Sequence, residues 1–222
     1  MDQGEVAHET LVHCSDGTSE RHVTLSRCTF RVPVRFSNLR VVGKGSYGVV
    51  VQARDAGLRR QVAIKKVTPV SSHSVDAKHA LREIRLMRHL GVHANIISLL
   101  DLLWREQNDE LYIVMELLDS DLHKIIQSSQ TLTDQHHRLF MLQLLRGVQF
   151  LHENGIIHRD LKPGNLLVTR QCDLRITDFG LARALPGSKL HHATGYRDEP
   201  MTEHVVTRFY RPPELMLSPN NR

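Results

Sequence analysis

The chain has 222 residues and is 41% hydrophobic, which allows one large domain or two small ones with a substantial core. Lys and Arg number 29 against 24 Asp and Glu, and no long block of like charges occurs, which argues against a nucleic-acid-binding tail. The three cysteines have no framework spacing, and the polar N-terminus is unlike a signal peptide. The sequence also has no apolar run of roughly 20 residues. These features predict an intracellular protein without a membrane span.

The first part of the chain changes from a polar extension to a pattern of strands. Residues 1–35 are mostly polar and aperiodic, so we expect a flexible extension there. From Phe36, two β-branched runs flank a glycine-rich turn in "LRVVGKGSYGVVVQARD", and "RRQVAIKKV" follows as a third apolar stretch. This pattern predicts an antiparallel meander.

Helical and strand signals alternate after the meander. "DAKHALREIRLMRHLG" has helical spacing and ends at Gly91, and "LYIVMEL" is typical of a short buried strand. The longest helical signal, "TDQHHRLFMLQLLRGVQFLHENG", has Thr133 as its predicted N-cap and Gly155 at its C-terminal end. Short strand-like pieces and an aperiodic loop over about 181–206 follow, so the order predicts an α+β chain in two lobes. The apolar face of the long helix comprises Leu139, Leu142, Leu145, Val148 and Leu151.

The 15 histidines raise the question of a metal site. "HENGIIH" has a superficial likeness to the zinc helix HExxH, which needs its histidines at i and i+4 on one face. His152 and His158 are further apart than that, and Asn154-Gly155 between them is typical of a helix end. We therefore expect no zinc site from these histidines.

The segment "VGKGSYGVV" carries Gly43, Gly45 and Gly48 between two predicted strands. Glycines there let backbone N–H groups approach phosphate oxygens without an intervening Cβ. A Rossmann fingerprint needs a helix after the glycines, and a Walker A loop needs a glycine where Asn38 stands, so neither fits. The strand-turn-strand pattern with Val50 after the last glycine is typical of kinases, and an ordinary hairpin turn remains the alternative.

A lysine in the next strand strengthens the kinase interpretation. "VAIK" places Lys65 where antiparallel pairing would bring it under the glycine turn, while alternation sends Lys66 to the other face. A half-buried lysine needs a counter-charge, and Glu83 on the following helix is the candidate. The alternative is that Glu83 is an ordinary solvated acid.

The segment "IIHRDLKPGNLL" concentrates the residues that phosphoryl transfer needs. Asp160 would orient a substrate hydroxyl and accept its proton, Lys162 would offset charge on the transferring phosphoryl group, and Asn165 would hold Mg²⁺. Asp178 in "TDFG" would supply the main magnesium ligand, because hard cations prefer carboxylate and amide oxygens.

Four motifs, GxGxxGxV, VAIK, HRDLKPxN and DFG, occur in the order typical of eukaryotic protein kinases. Over about 36–217 the chain resembles that family, and "LYIVMELLDSDLHKII", "CDLRITDFGLAR" and "MTEHVVTRFYRPPE" resemble its mitogen-activated members. The resemblance implies a two-lobed fold with a small β-rich N-lobe over 36–116 and a mainly helical C-lobe over 117–222. That C-lobe would be incomplete, because kinase domains continue well past the position of Glu214, and the missing part would cover the long helix.

The resemblance also implies ATP and Mg²⁺ as cofactors. Met115 would be the gatekeeper, Glu116 and Leu118 would meet adenine through backbone groups, and Asp121 would meet the ribose. The residues of the implied nucleotide site are Val42, Gly43, Lys44, Gly45, Ser46, Tyr47, Gly48, Val49, Val50, Lys65, Glu83, Met115, Glu116, Leu118 and Asp121.

The resemblance further implies an activating phosphorylation at Thr202. Its phosphate would be gripped by Arg82, Arg159 and Arg183, since arginine–phosphate pairs order loops. His204 stands where tyrosine is usual, so we expect activation through Thr202 alone. Two milder departures follow: Phe209 stands where tryptophan is usual, and Pro212 stands where alanine is usual.

The implied function is a proline-directed Ser/Thr protein kinase in signalling, with Ser/Thr-Pro protein substrates and an upstream activating kinase as partners. We expect a monomer in the cytoplasm or nucleus, without nucleic-acid or membrane partners. Two alternatives stay open. One is a truncated, non-catalytic kinase-like binding protein, and the other is a nucleotide-binding domain of another fold.

Overall fold

The computed structural model describes residues 8–13, 17–45, 48–71, 75–185, 208–210 and 213. The chain divides into two compact units. The first comprises Met1–Lys78 and Leu99–Leu117, and the second His79–Ser98 and Leu118–Arg222. The predicted lobe ranges, 36–116 and 117–222, remain predictions, since these units are drawn differently.

A three-stranded antiparallel sheet begins the first unit. Its strands are β1 (His8–His13), β2 (Ser19–Leu25) and β3 (Cys28–Pro33), in the order β1-β2-β3. The turn between β2 and β3 consists of Ser26 and Arg27, which both have positive φ angles, 49° and 64°.

The prediction of a flexible extension over 1–35 is therefore wrong for these three strands. Polar residues alternate with apolar ones in β2 and β3, so the segment looks polar although one face is apolar. Val23, Leu25, Phe30 and Val32 on that face are buried. The β2–β3 turn also lacks the Asn-Gly or Asp-Gly pair that marks such hairpins in a sequence.

A five-stranded antiparallel sheet completes the first unit and confirms the predicted meander. The strand order is β4-β5-β6-β8-β7, so the chain crosses from β6 to the edge before it returns through β8. The strands are β4 (Phe36–Gly45), β5 (Gly48–Asp55), β6 (Arg60–Val67), β7 (Leu99–Arg105) and β8 (Glu110–Glu116).

The two sheets of the first unit share one hydrophobic core. Val23, Phe30 and Val32 of the N-terminal sheet pack in it together with Ile64 and Val114 of the larger sheet. Fully burying each such side chain contributes roughly 1.5–3 kcal/mol. Residues 19–33 are therefore part of the folded unit.

Helix α1 (Val75–Leu90) follows the meander as predicted. Ala80, Ile84, Met87 and Leu90 are buried, in agreement with the predicted apolar face. Gly91 ends the helix with φ +65°, and its amide donates to the Met87 carbonyl at 3.2 Å. Only a glycine adopts this left-handed conformation without cost, which explains the stop.

The second unit is built on helix α3 (Asp134–Glu153). Helix α2 (Leu122–Gln127) precedes it, and two small antiparallel sheets accompany both, in the orders β12-β11-β9 and β10-β13. Together with the first unit this confirms the α+β prediction. The strands are β9 (Ser120–Asp121), β10 (Ile156–Ile157), β11 (Leu166–Val168), β12 (Leu174–Ile176) and β13 (Arg183–Ala184).

Helix α3 begins at the predicted cap. The backbone amide of Thr133 donates to Nδ1 of His136 at 3.1 Å, so a histidine takes the place of the usual Glu or Gln. The packed face contains Phe140, Gln143 and Gly147 besides Leu151. The other three leucines of the predicted apolar face, Leu139, Leu142 and Leu145, are exposed to solvent in the described part of the chain. No described helix combines the length and apolarity that a membrane crossing needs.

Candidate active site

Asp160, Lys162 and Asn165 lie together in the loop after β10. Asp160 is only 3% exposed, and its Oδ2 accepts hydrogen bonds from Lys162 Nζ and Asn165 Nδ2, each at 2.8 Å. Asn165 Nδ2 also donates to the Asp160 backbone carbonyl at 2.8 Å. Two hydrogen bonds to the same oxygen fix the rotamer of the carboxylate.

The second carboxylate oxygen of Asp160 is in a different situation. Oδ1 is buried and accepts no hydrogen bond from any residue that the structure describes. A buried acceptor without a partner costs free energy, about 1–3 kcal/mol, which substrate binding would recover. The arrangement leaves one fixed oxygen able to accept a proton.

His158 connects this loop to the segment before Asp178. It is buried, its Nε2–H donates to the Thr177 carbonyl at 2.9 Å, and the Asp160 amide donates to its Nδ1 at 3.3 Å. Its ring meets Phe179 edge to face with 5.2 Å between centroids. Burial lowers the pKa of His158, and the two hydrogen bonds require the neutral ring.

His158 was not among the predicted site residues. The signal was the histidine of the HRDL motif itself, which lies directly before the two predicted functional residues Arg159 and Asp160. Its structural partner, a backbone carbonyl, has no sequence signature.

Asp178 is brought to Asn165 by the backbone. The Thr177 amide donates to the Asn165 carbonyl at 3.0 Å, and Asp178 has φ +66°, a left-handed conformation that is uncommon for aspartate. Asp178 Oδ1 is buried and accepts no hydrogen bond within the described ranges. Strain and a buried acceptor at one residue are typical of functional sites.

These two residues fit the implied Mg²⁺. Because Nδ2 of Asn165 donates to Asp160, the amide oxygen of Asn165 remains as an acceptor. That oxygen and the Asp178 carboxylate are the ligand types that Mg²⁺ prefers. Asp178 and Asn165 would therefore hold the ion.

Three arginines converge near this loop. Arg82 Nη1 donates to the Gly180 carbonyl at 2.6 Å. Arg183 on β13 pairs with Ile157 on β10. Burial lowers the pKa of Arg159, and the nearby charges of Arg183 and Arg82 lower it further. The structure thus brings the three predicted arginines together. Thr202, which is predicted to carry the phosphate that these arginines bind, lies outside the described residues.

The glycine motif joins β4 and β5 in the first unit. Gly43 pairs with Val50 and Gly45 with Gly48, whereas Ser46 and Tyr47 lie outside the described residues. Val42, Lys44 and Val49 belong to the same two strands.

The predicted lysine lies on the neighbouring strand of the same sheet. Lys65 pairs with Val50 on one side and with Ile113 on the other. Antiparallel pairing therefore puts Lys65 beside the strand that follows the glycine motif, and its position under the turn stays a prediction.

The remaining predicted nucleotide residues belong to both units. Met115 is buried on β8, and Glu116 ends that strand. Glu83 is buried on α1 in the second unit, so its pairing with Lys65 stays a prediction. Leu118 also belongs to the second unit.

Asp121 already has partners at the start of α2. Its Oδ1 accepts from the Lys124 amide and its Oδ2 lies near Lys124 Nζ, both at 2.9 Å. The predicted ribose contact of Asp121 therefore remains a prediction.

Little of the predicted activation segment is described. Phe209 lies in a 3-10 turn over Arg208–Tyr210 and is 89% exposed. His204, Arg211 and Pro212 lie outside the described residues, as does Glu214.

The chain matches the family model of the protein kinase domain over residues 36–222. It is 43% identical over 205 residues to mitogen-activated protein kinase 4 of Oryza sativa subsp. japonica, which covers 91% of this chain and 53% of the relative. Mitogen-activated protein kinase 7 of Arabidopsis thaliana gives the same identity and coverage, 43%, 91% and 53%. The homolog MMK2 of Medicago sativa is 48% identical over 183 residues, with 81% and 46% covered.

The chain thus spans about half the length of the curated relatives that it matches. The match confirms the predicted protein kinase fold with a β-rich N-lobe. The chain belongs to the protein kinase family, with relatives among the mitogen-activated protein kinases.

Proposed function

We propose that the whole protein is an ATP-dependent serine/threonine protein kinase of the mitogen-activated type. The observation that carries this proposal is that the two carboxylate oxygens of Asp160 have different hydrogen-bond environments. Oδ2 is held by Lys162 and Asn165, while Oδ1 is buried and accepts no hydrogen bond from the described residues. A carboxylate fixed in this way has one oxygen available for a substrate hydroxyl.

The proposed reaction uses this geometry. The substrate hydroxyl donates to Asp160 Oδ1, which orients its oxygen toward the γ-phosphorus of ATP. A bond forms between the hydroxyl oxygen and the γ-phosphorus. The bond from the γ-phosphorus to the bridging oxygen of ADP breaks at the same time, and the hydroxyl proton passes to Oδ1. Lys162, 2.8 Å from Oδ2, offsets charge on the transferring group. Mg²⁺ held by Asp178 and Asn165 would neutralise phosphate charge.

The glycine motif and Lys65, both in the first unit, support the nucleotide part of the proposal. Backbone amides of the glycine motif would receive the phosphates, and Lys65 would pair with them and with Glu83. Met115, Glu116, Leu118 and Asp121 would form the adenine and ribose contacts.

The arginine cluster supports regulation by phosphate. Arg82, Arg159 and Arg183 bring three like charges together, and the pKa of Arg159 is already lowered. A phosphate on Thr202 would relieve this repulsion and order the segment that carries it. An upstream kinase would supply that phosphate.

The segment "VVTRFYR" supports proline-directed specificity, by resemblance to the segment that selects proline after the acceptor residue. Protein substrates with Ser/Thr-Pro sites, a monomeric state, and a place in the cytoplasm or nucleus complete the proposal.

One experiment tests the activity. The full-length protein, phosphorylated on Thr202 by an upstream kinase, is assayed for Mg²⁺-dependent transfer of ³²P from ATP to matched Ser-Pro and Ser-Ala peptides. We expect transfer that prefers Ser-Pro, and a loss of roughly 10²–10⁴-fold in kcat for Asp160→Asn, because the proton acceptor is gone.

Two results would contradict the proposal. Equal rates on the two peptides would refute proline-directed specificity. ATP binding without any transfer above the Asp160→Asn variant would favour the non-catalytic binding protein.

A further inference from the structure

A buried ion pair lies on the face of β6 opposite to Lys65. Lys66 and Glu110 are 5% and 4% exposed, and Lys66 Nζ lies 2.8 Å from Glu110 Oε1. Burying an ammonium and a carboxylate costs several kcal/mol per ion, and a well-packed hydrophobic pair is often as stable. Stability alone therefore gives little reason for this pair.

The N-terminal sheet encloses the Lys66 ammonium. Nζ donates to the Thr29 carbonyl of β3 and lies 5.9 Å from the centre of the Phe30 ring. The Tyr112 ring lies at 5.8 Å from the same ammonium. The side chain is therefore held by β3 and β8 at once, through its charge and through both rings.

Tyr112 joins the same network to the N-terminal sheet. Its hydroxyl donates to Glu110 Oε2 at 2.6 Å and accepts from the Arg31 amide at 2.8 Å. Burial, and then the hydrogen bond to Glu110, raises the pKa of Tyr112, so the phenol remains a donor. The Arg31 guanidinium also pairs with Glu110.

The backbone of Lys66 supports the glycine motif. Lys66 pairs with Val49, and Lys65 pairs with Val50. Gly48 has φ +141°, and a Cβ at that position would lie 2.1 Å from the Lys66 carbonyl oxygen. The last glycine of the motif therefore rests directly on the Lys66 peptide group.

We propose that Lys66, fixed by Glu110 and the N-terminal sheet, is a positioning residue for ATP phosphates. It holds the peptide on which Gly48 rests and the strand from which Lys65 projects toward the other face. Lys66 does not contact the nucleotide. The role rests on the proposed kinase function and gives the N-terminal sheet a part in it.

The test removes Lys66 and Glu110 together, so that neither member of this ion pair is left buried without the other. Lys66→Met/Glu110→Leu is compared with Arg35→Met/Asp101→Leu, which removes an ion pair between the β3–β4 connection and β7 of the same unit. Calorimetry with a non-hydrolysable ATP analogue and Mg²⁺ gives affinity, kinetics give kcat and the KM values for ATP and peptide, and thermal unfolding gives stability.

For Lys66→Met/Glu110→Leu we expect about tenfold weaker binding of the analogue, a change of about 1.4 kcal/mol, with an unchanged KM for peptide. Amide exchange at residues 48–50 of the free protein should be about tenfold faster. The control variant Arg35→Met/Asp101→Leu should change neither the affinity for the analogue nor the amide exchange rate. A purely structural role would lower only the unfolding temperature.

Tyr112→Phe provides a milder second variant, since it removes only the hydroxyl that bridges Arg31 and Glu110. We expect changes in the same direction, and it decides the question if the double variant does not fold. Wild-type affinity and exchange in the folded variants would overturn the positioning role alone. A wild-type protein that binds no analogue would overturn the proposed function together with it.

Discussion

At the residue scale, His158 holds two segments of the candidate site together only while its ring is neutral. Its Nε2–H donates to Thr177 and its Nδ1 accepts from the Asp160 amide, and a protonated ring could not accept. Burial lowers the pKa of His158 from 6.5 in the folded protein. Over the pH range just below 6.5, the unfolded chain therefore binds more protons than the folded protein.

This difference predicts that stability falls as pH falls through that range. The contribution of His158 has a limiting slope of about 1.4 kcal/mol per pH unit. Urea unfolding of wild type and His158→Asn at several pH values between 7.5 and 5 measures it. We expect a smaller pH dependence in His158→Asn, and the wild-type dependence in the control His123→Asn, whose side chain is exposed. Equal slopes in wild type and His158→Asn would contradict this role.

Residue types at fixed spacing predicted which residues of the candidate site lie close together in this loop. Asp160, Lys162 and Asn165 lie within one loop, so their sequence positions alone bring them together. The buried state of Asp160 Oδ1 and the left-handed backbone of Asp178 could not be predicted, because both depend on packing around the loop. The pairing of Lys65 with Glu83 stays a prediction of the motif.

At the element scale, α3 packs most closely against its neighbours at Gly147. A Cβ on Gly147 would lie 2.7 Å from Ile176 Cδ1 and 3.1 Å from the Asn95 carbonyl oxygen. Gln143 accepts from both Asn95 Nδ2 and the Leu174 amide, so polar groups fill the same interface. Leucine spacing alone could not predict this face, since a glycine and a glutamine carry no hydrophobic signal.

Gly147→Ala should therefore destabilise the protein although alanine is the better helix former. Overpacking costs about 1–3 kcal/mol, against a propensity gain of about 1 kcal/mol. Chemical unfolding measures the balance, and Ile176→Val in the same chain should restore part of the loss because it removes Cδ1. Gly164→Ala, with open space around the added Cβ, is the control. A more stable Gly147→Ala variant would show that the interface can shift.

The N-terminal sheet shows what an alternating pattern hides. Phe30 is fully buried in the shared core, whereas Leu11 on β1 is exposed. Phe30→Ala should cost about 3–5 kcal/mol in the free energy of unfolding, and Leu11→Ala close to nothing. Urea titration of both variants checks this. A flexible extension would predict the same small effect for the two substitutions.

At the scale of the whole molecule, the family assignment and the order of elements were predictable, because four motifs and their spacing carry them. The N-terminal sheet was not, since its strands are short and polar on one face. The division into two compact units was also not predictable in detail. Helix α1 contributes residues to both units, and this depends on contacts that no local pattern encodes.

Regulation is a property of the whole molecule, because the three arginines come from three separate parts of the chain. We predict that phosphorylation of Thr202 alone activates the full-length protein, since a neutral or positive His204 cannot add the charge of a phosphotyrosine. After treatment with an upstream kinase, wild type, His204→Ala and the control Thr194→Ala should gain activity alike. Thr202→Ala should gain none, and Arg159→Ala should gain less because a phosphate ligand is missing. Peptide phosphorylation rates, with the phosphosites mapped by mass spectrometry, measure this. Full activation of Thr202→Ala would refute the one-site mechanism, and loss of activation in His204→Ala would assign His204 a role of its own.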